Sequence, residues 1–485
     1  MIANLVRNAR PRLLALLAAP DGDLAAAEDA FSDAVEKALR EWPTTGVPAN
    51  PEAWLFTVAR NRRRDGWRGA ARTTCLDDEV TTPGLARDRG GISGVPTART
   101  GTVEDAALEI PDRRMTLLAV AAHPAIDPVA RTPLMLNTVL GLSAGRIGAL
   151  LLVPTATMAA RLTRAKKRIK SSDLRFEQPG VDELPGRLEA IRDAIYGAYS
   201  VDWMHSATTH RDGLADEALF LAELLTDLVP DDPESNGLAA LLCLSAARRR
   251  SRIDKRGEFV PLDRQDTTTW DHALLHRGEE HLRAAGTSTS PGPYRLQAAI
   301  QAVHCARRRT GTTDWEAIRR LHSGLQESWP STGGAVALAV ATARCDGPEA
   351  GLAILDRIGD RAERFQPAVA ARAALLAEVG RPGQAVEAYA RAIVLTTEPT
   401  ARRHLEAIRA RLASATAATP LPHPCDRADP RESADRSPRN APGAELDRST
   451  DVRTAHEHAG RYGCCHSLDH IVQSLRRPVP SRGRP

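Results

Sequence analysis

Apolar residues recur along this chain at helical spacing. In Asp23–Trp42 (DLAAAEDAFSDAVEKALREW), Leu24, Ala27, Phe31, Val35, Ala38 and Leu39 predict one amphipathic helix, ended by Pro43. After the turn-rich PTTGVPANP, a second helix starts near Pro51, a residue suited to a first helical turn, and runs through EAWLFTVARNRRRDGWR. Residues 70–103 have no period and are dense in Gly, Pro, Thr and Arg, which reads as a linker. Helical pattern resumes near Val103 and continues to Ser171, with a short interruption around His123–Pro128. From Leu184 to Leu412 helix-length, Ala/Leu/Arg-rich blocks alternate with Pro–Asp and Gly–Pro punctuation. Gly380, Ala385, Tyr389 and Ala392 fall at the spacing of a tetratricopeptide helix pair, and Ala350 and Ile354 sit 35 residues upstream of Ala385 and Tyr389. Residues 413–485 turn to Pro, Arg, Asp, Ser and His with few large apolar groups; too little surface can be buried there to offset chain entropy, so disorder is expected.

The segment Gly141–Lys170 (GLSAGRIGALLLVPTATMAARLTRAKKRIK) reads as two helices around a break at Val153–Pro154, with Ser143 capping the first and Thr155 the second. On the second, Met158, Leu162, Ala165 and Ile169 form one apolar stripe. Arg161, Arg164, Lys167 and Arg168 fall on another face, flanked by Lys166 and Lys170. Such a helix suits a DNA major groove: the cations meet phosphates, while Thr155, Thr157 and Arg161 reach base edges. A solvated basic face on an ordinary helical hairpin fits the same pattern, and periodicity does not separate the two.

The helix after Pro51 interleaves Trp54, Phe56 and Trp67 with Arg60, Arg62, Arg63, Arg64 and Arg68. Aromatics among cations suit a single strand, whose bases stack while its phosphates are neutralised. Taken alone, a core made of Trp54, Leu55 and Val58 beside a solvated Arg run explains it as well. Two such helices joined by a linker point to one protein gripping DNA at two places.

Composition narrows the class. Across 485 residues, hydrophobic residues are 42%, charged 26% and aromatic only 4%, which disfavours a large sandwich or barrel and leaves an all-α fold. No run of about 18 uncharged apolar residues occurs, so no membrane span is expected. The Arg-interrupted start, MIANLVRNARPRLLALLAAP, does not read as a signal peptide. Seven scattered Cys are cytosolic thiol usage rather than a disulfide framework, and the expected location is the cytoplasm. Net charge is only +4, so a nucleic-acid reading rests on the clusters. No phosphate-binding loop or dinucleotide fingerprint occurs, and no cofactor is expected. His456, His458, Cys464, Cys465, His466 and His470 fit no closed tetrahedral spacing, so no metal is expected. Cys243, Cys305 and Cys345 lie in apolar helical pattern and read as buried small hydrophobes; Asp263, Asp266 and Asp271 near Trp270 read as loop and helix-cap residues, or as a contact patch for region 2 or a regulator. An enzyme is not expected.

Three stretches, AAAEDAFSDAVEKALREW, PEAWLFTVARNRRRDGWR and the ungapped Gly141–Lys170 with its Arg161-Leu162-x-Arg164-Ala165 core, resemble the bacterial sigma-70 family. They are similar to the extracytoplasmic-function type, which keeps only regions 2 and 4. Leu228–Pro233, Gly257–Trp270, Gly292–His304, Thr313–Trp315 and Asp346–Asp356 resemble the subgroup with a long helical extension, and the resemblance covers about residues 15–412.

The resemblance implies region 2 over residues 1–69, a linker over 70–103, a region 4 helix-turn-helix over 104–172, a tetratricopeptide-like extension over 184–412 and a tail from 413. It implies that Asp29, Asp33 and Glu36 dock on the β′ clamp of core RNA polymerase, with the β flap as a further partner surface. Trp54, Asn61, Arg62, Arg63, Asp65 and Arg68 would melt and read the −10 element, the cost of base extrusion being offset by polar and aromatic groups. Thr155, Thr157, Arg161, Arg164, Lys167 and Arg168 would lie on the −35 element of promoter DNA. The extension would regulate in cis or hold a regulatory protein. The chain departs from the family at Ser32-Asp33, where Gln-Glu is usual, and at Gly145-Arg146, where two acidic residues are usual. It departs again around Tyr196–Thr209 and at Gly333-Gly334. Two other readings stay open: a helix-turn-helix regulator that acts without polymerase, and a helical protein–protein scaffold with inert basic helices.

Overall fold

The structure is a computed structural model that describes residues 2–77, 114–151, 153–172, 174, 176, 183–205, 213–286, 291–396 and 399–417. The chain divides into two units, Met1–Ala198 and Tyr199–Pro485. Among the described residues secondary structure is helical throughout, apart from an isolated bridge between Ile253 and Phe259.

The first unit holds α1 (Ile2–Ala18), α2 (Leu24–Thr45), α3 (Pro51–Asp77), α4 (Arg114–Ala121), α5 (Pro128–Thr138), α6 (Ala144–Leu151), α7 (Thr155–Ser171) and the start of α8 (Pro185–His205). Helices α1, α2 and α3 pack pairwise around Leu13, Leu14, Leu24, Phe31 and Leu55. Leu39, expected in that core, is instead 56% exposed. Helix α2 also runs two residues past Pro43, because a proline in the last turn forfeits one hydrogen bond without any following turn to break. Helix α3 continues to Asp77, eight residues into the segment expected to be linker; the rest of that linker, from 78 to 103, lies outside the described residues.

Helices α6 and α7 form a hairpin, and Met158, Leu162, Ala165 and Ile169 are its buried stripe, as the spacing predicts. Ser143 caps α6 by accepting the Arg146 N–H at 3.3 Å. Thr155 is not a cap: Pro154 precedes α7 in extended conformation, and Thr155 is the first helical residue with its side chain exposed. After α7 the chain is tied back to α4, where the buried Arg187 guanidinium donates to the Ala119 carbonyl at 3.1 Å.

The second unit continues with α9 (Leu214–Leu228), α10 (Pro233–Ala246), α11 (His272–Ala284), α12 (Pro293–Thr310), α13 (Trp315–Ser328), α14 (Thr332–Asp346), α15 (Pro348–Ile358), α16 (Asp360–Glu363), α17 (Gln366–Glu378), α18 (Pro382–Leu395) and α19 (Pro399–Ala417). Helix α10, GLAALLCLSA at its core, has no polar face and is buried all round among α9, α11 and α12. Between α10 and α11 lie three short 3-10 turns, and Arg307 straps down the stretch from Asp263 to Trp270. Its guanidinium donates to the carbonyls of Asp263 (2.6 Å) and Gln265 (2.9 Å) and lies 5.5 Å from the ring centre of buried Trp270. Asp266 and Asp271 act as the helix caps expected of them.

Beyond α13 the helices stack as hairpins, α14 with α15 and α17 with α18, around Val336, Val340, Leu355, Leu375 and Tyr389. The repeat register differs from the expected one by one residue. Gly351 and Leu355, 34 residues before Ala385 and Tyr389, are the buried equivalents, whereas Ala350 and Ile354 are only half-buried. One residue is about 100° of helix rotation, enough to change face. Gly351 is required at the crossing, since a Cβ there would lie 2.7 Å from the Ala343 Cβ and 2.8 Å from the Ala339 carbonyl oxygen. Helix α19 extends to residue 417, beyond the expected end at 412; the remaining tail, with its Cys and His residues, lies outside the described residues.

Candidate polymerase and nucleic-acid interface

The three-residue turn Asp21-Gly22-Asp23, a turn-and-cap signature in the sequence, organises the first unit. Asp23 begins α2 by accepting the Ala26 N–H at 3.0 Å, and Lys170 of α7 reaches the same carboxylate at 2.7 Å. Burial works against this charge, yet the Ala26 N–H and the Lys170 ammonium prevail and hold the Asp23 carboxyl below its ordinary value. Lys170 is raised in turn by that hydrogen bond. Gly22 takes φ +68°, and a Cβ there would stand 3.5 Å from the Ile169 carbonyl oxygen, so the turn lies directly against the end of α7.

Asp21 meets α3 instead. The Arg63 guanidinium, buried, donates to the Asp21 carboxylate (2.6 Å to Oδ1) and to the Leu17 carbonyl oxygen. Arg63 was expected on the DNA-facing surface; the structure turns it inward as a strut between α3 and the α1–α2 turn. The periodicity of α3 hides this, because an Arg run carries no sign of which member finds an internal carboxylate.

The other residues of that helix divide by depth. Trp54 is half-buried, edge-on to Trp42 at 5.4 Å between ring centres, with Lys37 Nζ 5.8 Å from its ring centre. Asn61, Arg62 and Asp65 are exposed. The side chain of Arg68 lies outside the described residues. On α2, Asp29, Asp33 and Glu36 are all exposed at i, i+4 and i+7, forming one acidic edge with exposed Leu39 one turn beyond Glu36. Arg62 Nε donates to Asp33 Oδ2 at 2.6 Å, so the acidic edge and the Arg-rich helix adjoin.

On α7 the expected cationic face is solvent-directed. Arg164, Lys167 and Arg168 are exposed, as are Thr155 and Thr157, while Arg161 is half-buried. Arg168 Nε donates to the Ala125 carbonyl at 3.4 Å. Lys166 and Lys170, one side of the buried stripe, turn toward α2, where Lys166 Nζ meets Glu28 Oε2 at 2.5 Å. Arg10 of α1 binds the other Glu28 oxygen at 3.2 Å and donates to the Asn137 carbonyl at 2.9 Å. The sequence reading also passed over Gly148: a Cβ there would sit 2.6 Å from the Val153 carbonyl oxygen, so only glycine lets the α6–α7 turn close.

Compared with known proteins, residues 5–73, the α1–α3 bundle and its acidic edge, match sigma-70 region 2. Residues 187–286 match a family of unknown function, DUF6596. A curated relative, Uncharacterized protein R00370 of Rhizobium meliloti (strain 1021), is 34% identical over 403 residues, covering 80% of this chain and 90% of the relative. No solved structure matches.

Proposed function

The chain belongs to one family with the Rhizobium meliloti relative and carries a sigma-70 region 2 domain, and from that premise we propose that it is a cytoplasmic sigma factor of the extracytoplasmic-function type. It binds core RNA polymerase and directs initiation at specific promoters. The observation that carries this reading is the region 2 match over a three-helix bundle whose α2 presents Asp29, Asp33 and Glu36 to solvent beside exposed Leu39. An apolar residue among acids supports protein docking, since desolvating Leu39 adds to charge complementarity with the β′ clamp.

Asn61, Arg62 and Asp65 of α3 are the groups open to a melted −10 strand, with Arg68 next along the helix. Trp54 contributes once its packing on Trp42 loosens; Arg63 supports the fold. The α6–α7 hairpin acts as the region 4 helix-turn-helix: Arg164, Lys167 and Arg168 neutralise −35 phosphates, and Thr155, Thr157 and Arg161 face base edges. The β flap receives region 4. The helical pairs after Tyr199 act as a tetratricopeptide-like regulatory extension that holds a protein partner or acts in cis.

The −10 and −35 elements are separated by about 25 base pairs, on the order of 85 Å at about 3.4 Å per pair. Region 4 bonded to region 2 through Glu28 and Asp23 cannot span that distance, so these contacts belong to the free protein and part on promoter binding.

The test is co-elution of the purified chain with bacterial core polymerase, then run-off transcription from promoter libraries. Co-elution lost in an Asp29→Ala/Asp33→Ala variant, with promoter-dependent transcripts from the wild type, is expected. DNA binding that is indifferent to polymerase and to those substitutions would favour a plain DNA-binding regulator. Absence of both polymerase and salt-dependent DNA binding would favour a scaffold.

A further inference from the structure

Helices α9, α10 and α11, within the segment matching DUF6596, bring three side chains of metal-binding type to one point. Glu223, Cys243 and His281 each offer a ligand atom, and these atoms lie within 4.8 Å of one another. Cys243 Sγ is 3.8 Å from Glu223 Oε1. We propose that Glu223, Cys243 and His281 form a three-ligand site for a divalent transition-metal ion of the zinc class, which clasps α9, α10 and α11 together.

The donor chemistry fits such an ion. Thiolate, imidazole and carboxylate are the usual zinc ligands, bound at about 2.0–2.3 Å, so tetrahedral neighbours stand roughly 3.3–3.8 Å apart. The cluster approaches that spacing and needs a contraction of about 1.5 Å at most to reach it. Three protein ligands leave one position for water.

Surrounding groups are arranged to support the ligands. Asn236 Nδ2 donates to the carbonyls of Pro230 (2.8 Å) and Asp232 (3.2 Å), which fixes its amide so that Oδ1 is the free acceptor. His281 Nδ1 lies 3.4 Å from that oxygen. Nδ1 therefore carries the proton and Nε2 keeps the lone pair that a metal requires, the usual outer-shell device for a ligating histidine. Gly278, one turn before His281, lets α11 approach: a Cβ there would lie 2.7 Å from Leu244 Cγ and 3.1 Å from the Cys243 Cβ.

On metal binding Cys243 loses its proton to solvent as the metal–sulfur bond forms. Arg277 Nη1, 3.0 Å from Glu223 Oε1, now supplies the positive charge that the ion would supply. Its side chain is 46% exposed and can swing out, so arginine and metal compete for one carboxylate.

Cobalt(II) titration of the full chain under reducing conditions tests the site, because a cobalt–thiolate bond gives a near-ultraviolet charge-transfer band. The expected result is a band saturating at one equivalent, lost in Cys243→Ser and weakened in His281→Gln. It should persist in Cys425→Ser/Cys464→Ser/Cys465→Ser, which removes the tail thiols. Arg277→Gln should tighten binding several-fold, an effect a purely structural arginine would not have. Circular dichroism establishes that each variant is folded, and His281→Gln, at a half-buried position, carries the test if Cys243→Ser is not. No thiolate band in the wild type, a band indifferent to both Cys243→Ser and His281→Gln, or a band that disappears with the tail cysteines would overturn the proposal.

Discussion

Glu28 and Lys166 lie 138 positions apart and meet at 2.5 Å, with Arg10 on the second carboxylate oxygen. One carboxylate thus joins the N-terminal bundle to the basic helix α7. All three side chains are less than one-quarter exposed, so the cluster is shielded more than a surface pair.

Glu28→Gln removes the charge that both cations share and weakens the docked arrangement by about 1–3 kcal/mol. The radius of gyration of the free chain, measured by small-angle scattering, should rise, and its affinity for −35 duplex without polymerase should increase. An unchanged radius and affinity would show that the contact does not govern access to α7.

Adjacent arginines on α3 should behave oppositely. Arg63→Ala leaves the Asp21 carboxylate and the Leu17 carbonyl without their buried donor, and about 3–5 kcal/mol of stability should be lost. Arg62→Ala breaks an exposed pair with Asp33 and should cost less than about 1 kcal/mol. Denaturant unfolding separates the two. The Arg62 variant should instead lose open-complex formation.

Each cation of α7 that neutralises a phosphate contributes to counterion release. Arg164→Ala and Lys167→Ala should each flatten the slope of log affinity against log salt by about 0.9. Binding isotherms on −35 duplex from low to moderate salt measure this. A slope unmoved by the double variant would place the duplex elsewhere on the protein.

His322 in α13 is buried, and burial lowers it from 6.5 to about 4. Below pH 6.5 the unfolded chain takes up a proton that the folded chain refuses. Stability is therefore full above pH 6.5 and falls as the pH drops toward 4, by up to about 3 kcal/mol. His304, also lowered by burial, acts in the same direction. Thermal unfolding at pH 7 and pH 5 should show the loss, and His322→Leu should reduce it.

Much of this molecule was legible from one-dimensional pattern. The buried stripe of α7, most of that of α2 (Leu39 excepted), the cap at Ser143, the caps at Asp266 and Asp271 and the all-helical class follow from periods and local hydrogen bonding, which act over a few residues. The acidic edge of α2 and the cationic face of α7 were legible for the same reason, because a helix fixes which side chains share a face. What local pattern misses is rotation by one residue and choice among equals. The repeat register slipped from Gly351 to Ala350 because small residues stand at both positions, and only the crossing of α15 over α14 distinguishes them.

Tertiary structure alone decided which charges face inward. Within the run Arg62-Arg63-Arg64 nothing local marks Arg63, yet the α1–α2 turn brings Asp21 to it and to no other member of the run. Lys166 and Lys170 are equally cationic with Lys167 in sequence, but α2 passes along their side of α7 and gives them Glu28 and Asp23. The same holds for Glu223, Cys243 and His281, separated by whole helices and joined only when α9, α10 and α11 pack. Sequence fixes the face a side chain occupies through short-range geometry; the partner across that face depends on chain segments far away, and packing alone selects it.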